Sequence, residues 1–109
     1  MATVSNVVID QGTTFSLELN LTNDDASAKD LTNYTVTSQM RKSFEATTAT
    51  DFTTAKVNST GKITISLRAV ETAAVKAGRY VYDIEIASSS ETLRVLEGIV
   101  TVTPNVTRA

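Results

Sequence analysis

The sequence predicts an all-β fold, an immunoglobulin-like sandwich of about seven to eight short strands with one short crossover helix over 69–77. Three observations carry this. Segments of alternating apolar and polar residues recur along the chain, as in Phe15-Leu17-Leu19-Leu21 and Tyr80-Tyr82-Ile84-Ile86, and a period of two marks a strand with one face on a core. Polar turns separate these segments every eight to twelve residues. Threonine is abundant, 19 Thr beside 10 Ser in 109 residues, and its branched β-carbon favours extended backbone. A small barrel or jelly-roll arrangement is the alternative.

The length fits a single domain over 1–109, with flexible termini near 1–3 and 104–109. Thr3 to Ile9 reads as a short opening strand ended by Asp10-Gln11-Gly12. Thr14 to Leu21 is the second, and the polar stretch 22–33 is a connection anchored by Leu31. Asn23-Asp24-Asp25 lacks the spacing and closing glutamate of a calcium loop and reads as a solvated turn. Tyr34, Val36, Ser38 and Met40 form the inward face of the next strand, with Met40 filling the core. Residues 42–50 are a soft region in which Phe44 reads as a core plug beneath the loop, an exposed contact being the other reading. Asp51 to Val57 and Lys62 to Leu67 form a hairpin around Asn58-Ser59-Thr60-Gly61.

The helix buries Val70, Ala73, Ala74 and Ala77. It places Glu71 in its first turn and Lys76 near its end, and Gly78 closes it. Arg79 to Ala87 is the strongest strand. In the last hairpin Leu93 and Val95 are odd-numbered but Val100 and Val102 even, which predicts a bulge, with Leu96 and Gly98 between. Pro104 ends regular pairing, leaving a tail.

Chemistry is sparse. No cysteine or histidine is present, which removes thiolate metal sites, cysteine nucleophiles and imidazole bases. Asp83 and Glu85 project from one strand face, but no cleft is implied, and pairing with Arg94, Arg79 or Arg68 is the simpler role. The tyrosines Tyr34, Tyr80 and Tyr82 have the parity of core residues with hydroxyls at the rim. The net charge is −2 and the longest basic run is Arg41-Lys42, so no nucleic-acid partner is expected. No apolar run exceeds three residues, so no membrane partner is expected. The opening MATVSNVVIDQG does not read as a signal peptide. Four Asn-x-Ser/Thr matches, at Asn20, Asn33, Asn58 and Asn105, are explained by threonine abundance. No catalytic, cofactor-binding or metal residue is assigned, and no cofactor or small-molecule substrate is expected.

What remains is assembly through edges and termini. The candidate contacts are Val4, Asn6, Phe44, Pro104, Val106 and Arg108.

Four passages, VIDQGTTFSLELNLT, DLTNYTVTSQMRKS, ETAAVKAGRYVYDIEI and RVLEGIVTVTPNVTR, resemble small virion proteins of tailed bacteriophages. They are also loosely similar to the N-terminal sandwich domains of phage baseplate proteins. The resemblance spans about 4–108 and its motifs are structural. It implies that Asp30-Leu31-Thr32-Asn33-Tyr34 closes the first long loop and that Gly78, Tyr80 and Tyr82 fix the strand after the helix. Asn33 stands where glycine is frequent, and Lys76 where proline often begins the turn. The implied role is structural, in capsid decoration, baseplate or tail. The implied partners are other virion proteins and further copies of the chain, and the implied location is the virion. The competing class is a carbohydrate- or receptor-binding module in host adhesion.

Overall fold

The computed structural model describes residues 3–23 and 27–106. Among the described residues, nine strands and one helix follow one another as β1 (Thr3–Val4), β2 (Val7–Asp10), β3 (Phe15–Asn20), β4 (Thr35–Arg41), β5 (Thr50–Asp51), β6 (Thr53–Val57), β7 (Lys62–Leu67), α1 (Ala69–Ala73), β8 (Gly78–Ala87) and β9 (Thr92–Thr103). They form two sheets. The larger runs β1-β9-β8-β4-β5, with β2 also on the outer side of β9; the smaller runs β3-β7-β6. The chain is an all-β domain with one short helix, loosely consistent with an immunoglobulin-like sandwich.

The alternation read from the sequence sets the core. Ile63, Ile65 and Leu67 of β7 face Tyr82, Ile84 and Ile86 of β8, with Val100 and Val102 of β9, and all of these are buried. Full burial of side chains of this size contributes about 1.5–3 kcal/mol each. Met40 and Leu31 are buried as expected. Leu31 is held by its N–H to the carbonyl of Asn58, and the Asp30 carboxylate accepts the Thr32 N–H at 2.9 Å, closing the 22–33 connection against the 58–61 turn. Gly61, at φ +68°, permits that approach: a Cβ there would lie 2.5 Å from the Leu21 carbonyl oxygen.

Several expectations are corrected. The opening strand is two segments, both parallel to β9, interrupted at Ser5-Asn6. The Asp51–Val57 strand is also two, lying in different sheets. Between them Phe52 turns inward, buried, and packs against Phe15 and Tyr82 at centroid distances of 5.9 and 6.4 Å. An aromatic that anchors the crossing of the chain from one sheet to the other cannot lie in a continuous ladder.

The helix ends at Ala73 rather than Ala77, so Lys76 lies beyond it. Its buried side chain is Thr72, while Val70, Ala73 and Ala74 are exposed. The Thr72 hydroxyl accepts the Gly12 N–H at 3.0 Å and lies 2.7 Å from the Thr13 carbonyl, so a polar residue is the inward one. Val75, just past the helix, is also buried, and its carbonyl accepts the Gln11 amide.

The bulge exists, but at Val95: Ile84 pairs with Leu96 and Glu85 with Arg94. Beyond it Gly98 lies opposite Tyr82, and a Cβ on it would sit 2.0 Å from the Ser5 carbonyl oxygen. Glycine lets the opening segment cross at that point. The same carbonyl accepts the Tyr82 hydroxyl at 2.6 Å.

Candidate functional site

The two faces of the larger sheet differ in kind. Its inner face is the core. Its outer face is open to solvent and is assembled by register from four strands. Thr37, Glu85 and Arg94 form one cross-strand row. Gln39, Asp83, Glu97 and Val4 form the next, and Arg41, Val81 and Ile99 the third. Val8 lies beyond, opposite Thr101. Phe44, from the loop after β4, overhangs this surface and is 82% exposed.

Phe44 is therefore not a core plug. The loop carrying it folds on polar bonds, with the Arg41 guanidinium donating to the Ala46 carbonyl at 2.6 Å and to the Gln39 amide oxygen at 3.0 Å. The core beneath is already filled by Met40 and Phe52. Phe44, Asp83, Glu85, Arg94, Arg41 and Val81 line a shallow, open concavity of about 470 Å³, a surface hollow that strand parity alone did not imply.

The charges on this face are organised around Arg94. Its Nε lies 3.3 Å from Asp83 and an Nη 3.7 Å from Glu97, while Arg68 pairs instead with Glu71. Burial, followed by the Glu85 charge, pushes the Asp83 carboxyl above its ordinary value; Arg94 acts against them, and Glu97 adds to the upward push. Half-exposed pairs of this kind contribute at most about 1 kcal/mol to stability. Asp83, Glu85 and Glu97 thus set three carboxylates against two arginines, Arg94 and Arg41, the second of which also acts to lower Asp83.

The three tyrosines do not build a binding platform. Tyr82 is buried, and its pKa is raised by burial. Tyr34 and Tyr80 lie at the rim, the first donating to Glu91 at 2.5 Å and the second to the Lys76 carbonyl at 2.6 Å. Among the described residues, no group of three or more carboxylates is placed to hold a metal ion.

Of the residues anticipated as contacts, Val4, Asn6 and Phe44 belong to this outer face or its rim. Asn6 is exposed, and its Oδ1 accepts the Ile99 N–H at 3.0 Å, carrying the ladder across the break between β1 and β2. Pro104 and Val106 lie apart, at the end of β9. Val106 is 95% exposed, and the intervening Asn105 N–H is tied to Gln11 at 3.1 Å. Asp24, Asp25 and Arg108 lie outside the described residues. Val8 and Ile99, at 61% and 40% exposure, extend the apolar part of the face and were not foreseen as contacts. The readable signal was their strand parity, opposite to that of the core positions Ile9 and Val100.

No protein-family model matches the chain, and no curated protein matches it by sequence. Among solved structures, Listeria monocytogenes InlP aligns over 94% of this chain and 28% of its own, at 15% identity and a TM-score of 0.53. That likeness concerns the fold alone. The N-terminal four Ig domains of Dscam1 isoform 7.44 align over 94% of this chain and 23% of theirs, at 16% identity and a TM-score of 0.48. A family 123 glycoside hydrolase from Clostridium perfringens aligns over 94% and 23%, at 12% identity and a TM-score of 0.43. The chain spans less than a third of each of these proteins.

Proposed function

We propose that this chain is a non-catalytic assembly module, an immunoglobulin-like domain that docks into a tailed-bacteriophage particle as a decoration, baseplate or tail component. The observation that carries the docking part is the outer face of the larger sheet. Val4, Val8, Ile99 and Phe44 are exposed there around an ion-paired strip, and apolar surface mixed with arginine and peripheral charge is the composition of contact surfaces. The phage assignment rests on the sequence resemblance.

The finer fold reading is supported by strand order. The smaller sheet β3-β7-β6 corresponds to B-E-D, and the larger follows A-G-F-C-C′. Tyr80, two residues before the buried Tyr82, bonds back to the carbonyl of Lys76. We read that bond as the counterpart of the tyrosine corner of such sandwiches, in a chain that holds no cysteine.

A second reading, a carbohydrate- or receptor-binding module for host adhesion, is favoured by one specific feature. Phe44 stands exposed beside a concavity whose walls offer Gln39, Arg41, Asp83 and Glu85, an apolar surface with a few convergent polar groups.

Mass spectrometry of purified particles from the phage encoding the chain tests the first reading. The chain is expected as a stoichiometric component, and Val8→Glu is expected to abolish incorporation while thermal unfolding of the isolated domain stays unchanged. Absence from particles would overturn the assignment. Glycan-array binding that is lost in Phe44→Ala would establish the second reading.

A further inference from the structure

The sheets end in edge strands, and among the described residues all but one are guarded. β5 is two residues long. β6 carries Lys56, whose Nζ donates to the carbonyls of Leu31 and Tyr34 at 2.7 Å each. The β1/β2 edge is interrupted at Ser5-Asn6. Short length, lysine and interruption are ordinary ways of preventing an edge from pairing with another chain. β3 has none of them. Phe15–Asn20 is six residues long, continuous, and in unbroken register with β7, and it contains no lysine, proline or glycine.

The ladder phase identifies the free groups. The Leu21 N–H bonds the Gly61 carbonyl at 2.8 Å, so the odd-numbered residues of β3 turn their backbone groups toward β7. The N–H and C=O groups of Ser16, Glu18 and Asn20 therefore point away from the sheet. The side chains of Phe15, Leu17 and Leu19 point inward yet are only half-buried, whereas Ile63, Ile65 and Leu67 on the adjacent strand are at most 1% exposed.

The cause is a mismatch between the sheets. β6 lies against β4, where the Thr54 hydroxyl reaches the Val36 carbonyl at 3.3 Å. This sets β6, β7 and β3 across from β4, β8 and β9. The strands β1 and β2, outside β9, then have no strand opposite them. On its outer side β3 pairs with no described strand, and Val7 of β2 in the other sheet is half-buried.

We propose that this edge accepts one extended segment of a partner protein as a fourth strand of the smaller sheet. The segment is about five residues long, with apolar side chains at alternate positions to cover Phe15, Leu17 and Leu19. It carries a lysine or arginine opposite Glu18, the single charge within β3, whose half-exposed carboxylate meets Lys62 on one side at 3.4 Å. A second copy paired β3-to-β3 about Glu18 would set two carboxylates side by side, which disfavours it. The proposal is independent of the phage assignment and of the outer-face contact.

The probe is a synthetic capped peptide, Lys-Val-Thr-Val-Lys-Val-Thr, added to the full chain while amide exchange is followed by NMR. Saturable binding is expected, with exchange slowed at Ser16, Glu18 and Asn20. Glu18→Pro removes an outward-facing N–H together with the carboxylate that meets Lys62 at 3.4 Å, and it spares the N–H groups that bond β3 to β7, so binding is expected to weaken at least about tenfold. If that variant fails to fold, Glu18→Lys is used. It is expected to lose the lysine peptide and to bind the analogue with glutamate in place of lysine. No saturable binding, protection on β2 or β5 instead of β3, or unchanged affinity in the folded variants would overturn the proposal. So would a concentration-dependent dimer that protects the same amides without peptide.

Discussion

The inner and outer faces of β8 lie on the same ten residues and obey different rules. Inward, Tyr82, Ile84 and Ile86 are at most 4% exposed. Outward, Val81, Asp83 and Glu85 are half-buried at the floor of an open hollow and include two carboxylates of like charge. The inner face is what folding demands, because apolar side chains of this size leave water only when packed at near-crystalline density. Nothing in folding demands the outer one. A surface that keeps a crowded set of carboxylates and an exposed phenylalanine without structural need is where a partner is to be sought.

The contrast breaks most visibly from the inside. Ile84→Ala is expected to cost about 2–5 kcal/mol, the usual range for emptying a fully buried aliphatic position, as read by urea denaturation. A cost under about 1 kcal/mol would mean that the two sheets do not close on β8. Next comes Gly98→Ala, also on the inner row. The added methyl would meet the Ser5 carbonyl at 2.0 Å and the Tyr82 ring at 3.1 Å, and overpacking of this kind costs about 1–3 kcal/mol. Because the Ser5 carbonyl is also the acceptor for Tyr82, the loss is expected to be accompanied by faster amide exchange at Ser5, whose N–H bonds Glu97 at 2.8 Å.

Much of the inner face was legible in the sequence, and the reason is physical. A period of two on strands such as β7 and β8 admits one core-facing set, and a one-residue slip would expose all of it. Leu31 and Met40 were legible as isolated apolar residues at the right phase. Phe52 was not, because a strand that changes sheets keeps no single parity across the change. Thr72 was hidden for another reason. Its burial is satisfied by hydroxyl bonds to the Gly12–Thr13 turn, and apolar spacing does not register a polar residue bonded across 60 positions of chain. The outer face was half legible. Parity put Asp83 and Glu85 on one face with Arg94 as one of three arginines that could pair with them, but the position of Phe44 over them depends on a loop held by side-chain-to-backbone bonds.

The outer face answers to pH. The Asp83 carboxyl, raised mainly by burial and then by Glu85, binds its proton more readily in the folded state than in the unfolded one. Stability from this group is fully present below the ordinary value of 3.8 and is lost as pH rises through the raised folded value. Asp83→Asn removes that pH-dependent loss, although it also gives up the Arg94 contact at 3.3 Å. The difference in unfolding free energy, variant minus parent, is therefore expected to become more favourable to the variant between pH 3 and pH 7. A difference moving the other way would show that Arg94 outweighs burial on this face.

The smallest expected effect on stability is the most telling for function. Phe44 is exposed on a loop that is secured by Arg41, so Phe44→Ala should leave the unfolding free energy within about 0.5 kcal/mol of the parent. An aromatic that large, kept in water on a surface where folding gains nothing from it, is consistent with a contact made elsewhere. Isothermal unfolding checks the stability part directly. A loss above about 1 kcal/mol would mean that Phe44 packs on the sheet in solution, and the outer face would then owe its exposed aromatic to folding after all.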